Sequence, residues 1–520
     1  MKSVTVAEMR ELDRCAIEDC GIPGEILMQR AGLGVARKVA HLAEFVQGEP
    51  LVQIFAGKGN NGGDAFVVAY CLQEMGCDVE LFFAGDSSQV QGDGLVHLRK
   101  MMDAGIELRE LATVDEWERL AAMPHLAGDI LVDGLLGTGI SGAARGVVAA
   151  AIRTINLFSR RARVVAIDIP SGLNGDTGVA DGDVVQADLT VTMAMPKKGL
   201  LQPGAINLVG NLDVVDIGIP AQLTGSIESD LELIVTSEVE GLFGRRVRDT
   251  HKGTYGHLLL IGGSPGYSGA IAMAAMAALH SGVGLVSLLV PESISSIVAG
   301  LLPEAMVHSG VCNENGCLSA ASLESIGSRL DDFSAIVIGP GMSELPESAD
   351  VLQQLLNRTS CPVVIDAGAL NLVAKYKVDL QERRNLILTP HPGEMARLLE
   401  CSPAEIQQNR FAAASKAALV FGGIVVLKGA GSVVTQPGQG MYVNMSGNPG
   451  MATGGSGDVL SGLTGGLVAG GLDVFDAVKA AVHLHGLAGD QAALMTSQIS
   501  LTATGMIASL PKIFRQVSGI

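Results

Sequence analysis

Leu51-Val52-Gln53-Ile54-Phe55-Ala56-Gly57-Lys58-Gly59-Asn60-Asn61-Gly62-Gly63-Asp64 passes from a short apolar run straight into a glycine loop, and residues 64–74 beyond it carry helical periodicity. A buried strand, a tight turn and a helix make one βα unit, and such units in series build a parallel sheet covered by helices on both faces. Further apolar runs at 79–84, 130–133, 164–168, 189–193 and 212–217 read as strands of the same sheet, with a helix at 146–158. Gly76 stands where a helix C-terminal glycine belongs, and an amphipathic helix over 6–20 precedes the sheet. The expected class is α/β with three layers.

After Pro220 the chain turns polar, with Gly225 and Ser226, and a charged stretch at 245–252 leads to a new strong strand at 257–261. The boundary is placed at 225–235, giving domains of 1–225 and 235–520. A second α/β series follows, with strands expected at 285–290, 335–338, 363–366, 386–389 and 424–428 and helices at 459–469 and 474–488. The two halves show no obvious internal repeat.

Composition narrows the function classes. The 520 residues are 48% hydrophobic and 17% charged, enough for large cores. With 35 Lys plus Arg against 54 Asp plus Glu, the net charge of −19 and an aromatic content of 3% argue against a nucleic-acid partner. The 8 cysteines form no C-x-x-C pair, which points to a reducing cytoplasm rather than a disulfide scaffold or zinc ribbon. The N-terminus lacks the uninterrupted apolar stretch of a secretory signal. The uncharged run 269–290 is interrupted by His280, Ser281, Gly282 and Gly284 and reads as a buried helix leading into a buried strand, so no membrane partner is expected.

In the first half, Gly57 to Gly62 formally matches G-x-G-x-x-G, but Asp64 at the start of the helix would repel a pyrophosphate seated there. Asn60, Asn61 and Asp64 suit ribose hydroxyls or a cation better. Two more loops leave strand ends, one after Asp133 and one after Asp168, and ligands of open α/β sheets bind along that edge. Oxygen atoms of Asn61, Asp133 and Ser171 could hold a hard monovalent or divalent cation. Asp168 is the general acid/base candidate.

Residues 59–64 (Gly-Asn-Asn-Gly-Gly-Asp) with 166–172 (Ala-Ile-Asp-Ile-Pro-Ser-Gly) resemble the NAD(P)H-hydrate epimerase family over about residues 1–220. The resemblance implies a Rossmann-like fold that interconverts the R and S forms of hydrated NADH and NADPH beside a potassium ion (K+). It implies Asn61, Asp133 and Ser171 as K+ ligands, and Asp168 as the catalytic residue. It implies a substrate lining of Asn60, Asn61, Gly62, Gly63, Asp64, Gly137, Thr138, Gly139, Ile140, Ser141, Gly142, Ala143 and Asp168.

In the second half, residues 448–458 (Asn-Pro-Gly-Met-Ala-Thr-Gly-Gly-Ser-Gly-Asp) precede an apolar helix, so their amides would point into a cavity at its positive end, a phosphate nest. Asp458 beside it can take a proton from a hydroxyl during phosphoryl transfer, and no Walker loop occurs. Lys428-Gly429-Ala430-Gly431-Ser432 is a second anion-friendly loop, and His391 sits in a third, between prolines. His483 and His485 are two apart on an expected helix and read as packing or solvent residues rather than joint metal ligands.

Together with Lys252-Gly253-Thr254-Tyr255-Gly256, the segment 262–270 and Gly339-Pro340-Gly341, these motifs resemble the ADP/ATP-dependent NAD(P)H-hydrate dehydratases, a ribokinase-like family, over about residues 235–515. The resemblance implies that Ala270, Gly341, His391 and Asp458 contact the S-hydrate. Lys428, Gly429, Ala430, Gly431, Ser432 and Gly457 would hold the adenine nucleotide, with Mg2+ and ADP as phosphoryl donor. Asp458 would be the second catalytic residue. Gly368 stands where the family often has Asp. The implied partners are NADH-hydrate, NADPH-hydrate and ADP, and a homo-oligomer is expected. A small-molecule kinase with an accessory nucleotide domain would use the same glycine-aspartate loop.

Overall fold

The computed structural model describes residues 1–139, 142–380 and 385–519, with residues 327–329 described by backbone alone. Ile140 and Ser141 therefore lie outside the described residues. The chain divides into two compact units, Met1–Leu233 and Ile234–Ile520.

The first unit contains β1 (Leu51–Ala56), β2 (Asp78–Ala84), β3 (Leu108–Leu111), β4 (Ile130–Gly134), β5 (Arg163–Ile167), β6 (Leu189–Met193), β7 (Asn211–Val215) and the short β8 (Leu231–Leu233). Strands β1 to β7 form one parallel sheet in the order β3-β2-β1-β4-β5-β6-β7. This is the Rossmann-like order, and the winding direction reverses between β1 and β4. Side chains alternate between faces, so Val52, Ile54 and Ala56 enter one core while Phe55 enters the other beside Phe82 and the only tryptophan, Trp117. Helices Asn60–Glu74 and Gly146–Phe158 follow β1 and β4. Strand β3, Leu-Arg-Glu-Leu, lies at the sheet edge with both charged residues exposed, which is why no apolar run announces it. The expected helix over 6–20 is α-helical only to Arg14 and continues as a π-turn, Cys15–Asp19.

The second unit contains β9 (His257–Ile261), β10 (Leu285–Pro291), β11 (Met306–Gly310), β12 (Ala335–Ile338), β13 (Val363–Ile365), β14 (Leu386–Leu388), β15 (Ile424–Leu427), β16 (Ser432–Thr435) and β17 (Met441–Asn444). Their order is β11-β10-β9-β12-β13-β14-β15-β16-β17, parallel as far as β15 and antiparallel beyond. Here the reversal falls between β9 and β12. Leu258 and Leu260 face one core, Leu259 and Ile261 the other, as a doubly covered sheet requires. The run 269–290 is helix Ser268–His280 followed by β10. Among the described residues no helix is long and apolar enough to cross a membrane.

The glycines of helix Ser456–Ala469 permit close helix contact. A Cβ at Gly462 would lie 1.8 Å from the Ala274 carbonyl oxygen, so the helix can rest directly on Ser268–His280 only with glycine there.

Candidate functional site

In the first unit the loops after β1, β4 and β5 converge where the sheet's winding reverses. Gly57 N–H donates to Gly134 O across β1 and β4 at 3.1 Å, and the chain then enters helix Asn60–Glu74 with no side-chain cap. A Cβ at Gly62 would sit 1.7 Å from Gly57 O, so only glycine lets the helix start close over the loop. Gly62→Ala is expected to cost about 1–3 kcal/mol of first-unit stability by overpacking, read as a lowered urea midpoint of Trp117 fluorescence.

Asn61, Asp133 and Ser171 are linked around the Leu136 backbone. Asn61 Nδ2 donates to Leu136 O at 2.9 Å, leaving its carbonyl oxygen without a donor among the described residues. Asp133 accepts from Ser171 Oγ at 2.6 Å, Ser171 N at 2.8 Å and Leu135 N at 3.2 Å. Burial pushes Asp133 up to about 6, and the bonds from Ser171 and Leu135 only partly offset it. No basic side chain among the described residues answers this carboxylate. Among the described residues no three His, Cys, Asp or Glu side chains gather to hold a metal. An all-oxygen set with one uncompensated carboxylate fits a hard cation of low charge.

Asp168 follows β5 in the left-handed region, φ 63°, a strained conformation for a non-glycine residue. Its Oδ1 accepts from Lys197 Nζ at 2.5 Å, Thr192 Oγ1 at 2.9 Å and Met193 N at 3.3 Å, while Oδ2 carries no hydrogen bond among the described residues. Lys197 is 1% exposed and Asp168 14%, so this ion pair is nearly dry on one side and open on the other. Sequence reasoning missed Lys197: a lysine in an apolar stretch carries no motif. Asp64 is raised well above its ordinary value, first by burial and then by Asp168 and Asp13. Thr138 receives Arg10 Nη2 on its carbonyl at 2.8 Å. Gly137, Gly139, Gly142 and Ala143 belong to the same loop after β4.

In the second unit Gly341, after β12, lies beside Ala270. A Cβ at Gly341 would be 3.1 Å from that of Ala270, and Ser264 Oγ fixes the turn by donating to Gly341 O at 2.8 Å. Asp366 follows β13 and is fully engaged: Oδ1 accepts from Lys428 Nζ and Thr389 Oγ1, both at 2.8 Å, and Oδ2 from Ser461 Oγ at 2.5 Å. Burial works to raise Asp366, but Lys428, helped by Ser461 and Thr389, outweighs it and holds the carboxyl below its usual value. The Lys428 ammonium thus faces Asp366 and, at 3.7 Å, Glu394. Gly368 has no room for the family's second carboxylate, since its Cβ would lie 2.3 Å from Met342 O.

Asp458 lies in the first turn of helix Ser456–Ala469, behind Gly455 at φ 90°. Burial, then Asp366, pushes its carboxyl up to about 7, with Lys428 working the other way. It carries no hydrogen bond among the described residues. A Cβ at Gly457 would lie 3.3 Å from Lys428 Nζ, so the two anion-friendly loops meet there. His391 caps helix Pro392–Leu399, its Nδ1 accepting from Gly393 N at 3.0 Å and Glu394 N at 3.3 Å. Burial, then the nearby Lys428, lowers its pKa, which favours the unprotonated Nδ1 that accepts these two bonds.

The loop 428–432 is shaped by a residue the sequence did not advertise. Arg410, 4% exposed, donates Nη2 to Leu427 O at 3.0 Å, Lys428 O at 3.2 Å and Gly431 O at 3.4 Å. Ser432 opens β16 and donates to Gly429 O at 2.9 Å, with Ala430 between them in the turn. His483 and His485 are both buried, which removes the solvent option. His485 Nε2 lies 2.9 Å from Ser456 O, bracing the glycine-aspartate loop from behind, and burial lowers its pKa to about 4.

A family model described as NAD(P)H-hydrate dehydratase matches residues 258–512, and one described as YjeF-related protein N-terminus matches 24–199. The chain is 41% identical over 519 residues to the bifunctional NAD(P)H-hydrate repair enzyme of Moorella thermoacetica, covering 99% of this chain and 97% of that protein. To the Escherichia coli protein of the same description it is 35% identical over 461 residues, 88% of this chain and 84% of that one. A ribokinase-like superfamily protein from Enterococcus faecalis aligns with a TM-score of 0.51 at 26% identity, covering 56% of this chain and 99% of that structure.

Proposed function

Because the chain belongs to the family of bifunctional NAD(P)H-hydrate repair enzymes, we propose that its first unit interconverts R- and S-hydrates of NADH and NADPH while its second dehydrates the S form at the expense of ADP. The observation that carries the second activity is Asp458, a half-buried carboxyl pushed up to about 7 in the first turn of a helix with a glycine approach. A base with that value is half-ionised near neutral pH and strong enough to take a proton from a hydroxyl.

The hydrate bears a hydroxyl on its saturated ring, and hydroxide leaves poorly. Asp458 accepts the hydroxyl proton as its oxygen takes the terminal phosphoryl of ADP, and the amides at the start of helix Ser456–Ala469 meet the charge on that group. Phosphate then departs with the C–O electrons as the ring nitrogen supplies its lone pair to form C=N. The adjacent ring carbon gives up a proton to the departing phosphate, so that the C–H electrons form C=C and the C=N pair returns to nitrogen, leaving NAD(P)H, AMP and phosphate. Gly429 to Ser432 and Gly457 face the nucleotide with backbone, and Lys428 adds its charge. Ala270, Gly341 and His391 line the hydrate. Magnesium bound with ADP would neutralise the charge of its phosphates.

In the first unit Asp168 is the group that exchanges protons with the hydrate through Oδ2, which carries no hydrogen bond among the described residues, and Asn60 to Asp64 with Gly137, Thr138, Gly139, Gly142 and Ala143 enclose the ring. Asn61, Asp133 and Ser171 would hold the potassium ion, which would supply the positive charge that the buried Asp133 lacks. The setting is a reducing cytoplasm and the assembly a homo-oligomer.

A mixture of R- and S-NADH-hydrate with ADP and Mg2+ tests both activities. Recovery of the whole reduced-nicotinamide absorbance is expected, none without nucleotide, and recovery of the R fraction about tenfold slower when choline replaces potassium. No recovery with either ADP or ATP would refute the repair reading and leave a small-molecule kinase.

A further inference from the structure

The helix Val6–Arg14 is tied to three segments at the open edge of the first sheet. Val6 N donates to Asp176 Oδ1 at 2.7 Å, Arg10 Nη2 to Thr138 O at 2.8 Å, and backbone bonds Val4 N to Pro196 O and Lys198 N to Val4 O bracket Lys197 at 2.9 and 2.8 Å. Its buried residues are Met9 and Leu12. Asp13 stands three positions after Arg10 and four after Met9, on the side of the helix between the Thr138 loop and the core. It is half-buried and has no hydrogen bond or ion pair among the described residues. The charged groups acting on it are Lys197 and Asp168, and it acts in turn on Asp64.

Inversion of a carbinol carbon bonded to nitrogen by loss and return of water needs a proton donor and an acceptor together. Lys197 cannot be the donor: its three N–H groups are spent on Asp168 Oδ1 at 2.5 Å, Thr192 Oγ1 at 3.0 Å and Met193 O at 3.1 Å. Asp168, ion-paired with it, is suited to accept.

We propose, resting on the epimerase reading of this unit, that Asp13 is a catalytic residue of the first site, the proton donor that works with the Asp168 carboxylate. The Asp13 proton passes to the hydroxyl as the C–O bond breaks, the ring nitrogen lone pair forms a C=N bond and water leaves. A second water then bonds to the same carbon from the other face, the C=N pair returns to nitrogen, and the proton of that water goes to Asp168. Asp13 ends ionised and Asp168 protonated, and exchange with solvent restores both. Burial, the largest influence, pushes Asp13 up to about 6, which keeps a proton available close to neutrality.

The test measures exchange between purified R- and S-NADH-hydrate by the full chain and its Asp13→Asn, Asp13→Glu and Asp64→Asn variants, with Trp117 fluorescence reporting the fold of this unit. In folded Asp13→Asn the epimerisation kcat is expected to fall about 100-fold with KM changed less than threefold, and Asp13→Glu to keep at least a tenth of the wild-type rate. Solvent labelled with 18O is expected to enter the hydroxyl at each inversion. Asp13→Asn within threefold of wild type, a loss confined to Asp64→Asn, or inversion without 18O entry overturns the proposal while leaving the epimerase reading intact. If Asp13→Asn does not fold, a folded Asp13→Glu below one hundredth of wild type overturns it. A wild-type chain that leaves the epimers at their starting ratio overturns both.

Discussion

Asp458→Asn is expected to lower the dehydration rate about 10³-fold while epimerisation by the other unit continues, because the amide keeps the shape of the helix start but cannot accept the hydroxyl proton. Mixing the two hydrates with this variant, ADP and Mg2+ should equilibrate R with S and return almost no absorbance at the reduced-nicotinamide band. The same substitution is expected to stabilise the second unit. An acid raised from 3.8 to about 7 holds its proton longer folded than unfolded, so its contribution is fully present below pH 3.8 and is lost as pH rises through 7. The full shift converts to about 4 kcal/mol, and since the carboxyl is partly open to solvent a gain of about 2 kcal/mol at pH 8 is the expected measure. The difference between variant and wild type in urea unfolding should shrink towards zero at pH 4. Unchanged dehydration would remove Asp458 from the chemistry, and a variant less stable than wild type at pH 8 would show that the carboxyl is satisfied rather than strained.

The parts of this molecule that were legible in the sequence are those with local signatures. Strands β1, β6, β9 and β12 announce themselves because both faces of each sheet are covered: β12 is apolar throughout, and the other three are broken only by Gln53, by Thr190 and Thr192, and by His257. Strands β3 and β11 sit at sheet edges and keep polar residues, while β16 and β17 are short and form an antiparallel hairpin after a glycine loop, so none of the four stood out. Glycine loops marked both sites, one at the end of β1 and one at the start of helix Ser456–Ala469, since close backbone approach leaves a compositional trace at 57–63 and 454–457. Their electrostatic supports leave none. Ser461 meets Asp366 across 95 positions and Lys197 meets Asp168 across 29, and Arg410 and His485 reach their loops from helices whose apolar pattern would be the same without them.

Replacing Lys428 by Met is expected to destabilise the second unit by about 3–5 kcal/mol, the largest structural effect in the chain, because it strands Asp366 as a buried anion. Asp366 is 1% exposed on its side chain and Lys428 17%, so water cannot take the place of the ammonium. The neighbouring Glu394, which burial already raises, would lose the same cation. Lys428→Met with Asp366→Asn is expected to regain more than half the loss, since the amide oxygen can still accept from Thr389 Oγ1 while its Nδ2 donates to Ser461 Oγ, with no charge to solvate. The pH dependence follows from the directions of the two shifts. Asp366 is held below its ordinary value, so its share is present above the unfolded carboxylate range and is lost as pH falls through the lowered folded value. Lys428 is held above its ordinary value despite burial, because Asp366 and Glu394 attract it, so its share is present below the unfolded lysine range and is lost as pH rises through the raised one. Urea unfolding of the wild type should therefore show the pair at full strength near neutrality and weaken at both extremes, whereas Lys428→Met loses the alkaline decline. Removing Lys428 also withdraws a cation that opposes the rise of Asp458, so what dehydration remains should shift its acid limb to higher pH. A Lys428→Met chain within 1 kcal/mol of wild type, or a double variant no better than the single, would mean that the ion pair is solvated after all. The lysine would then be present for the nucleotide alone.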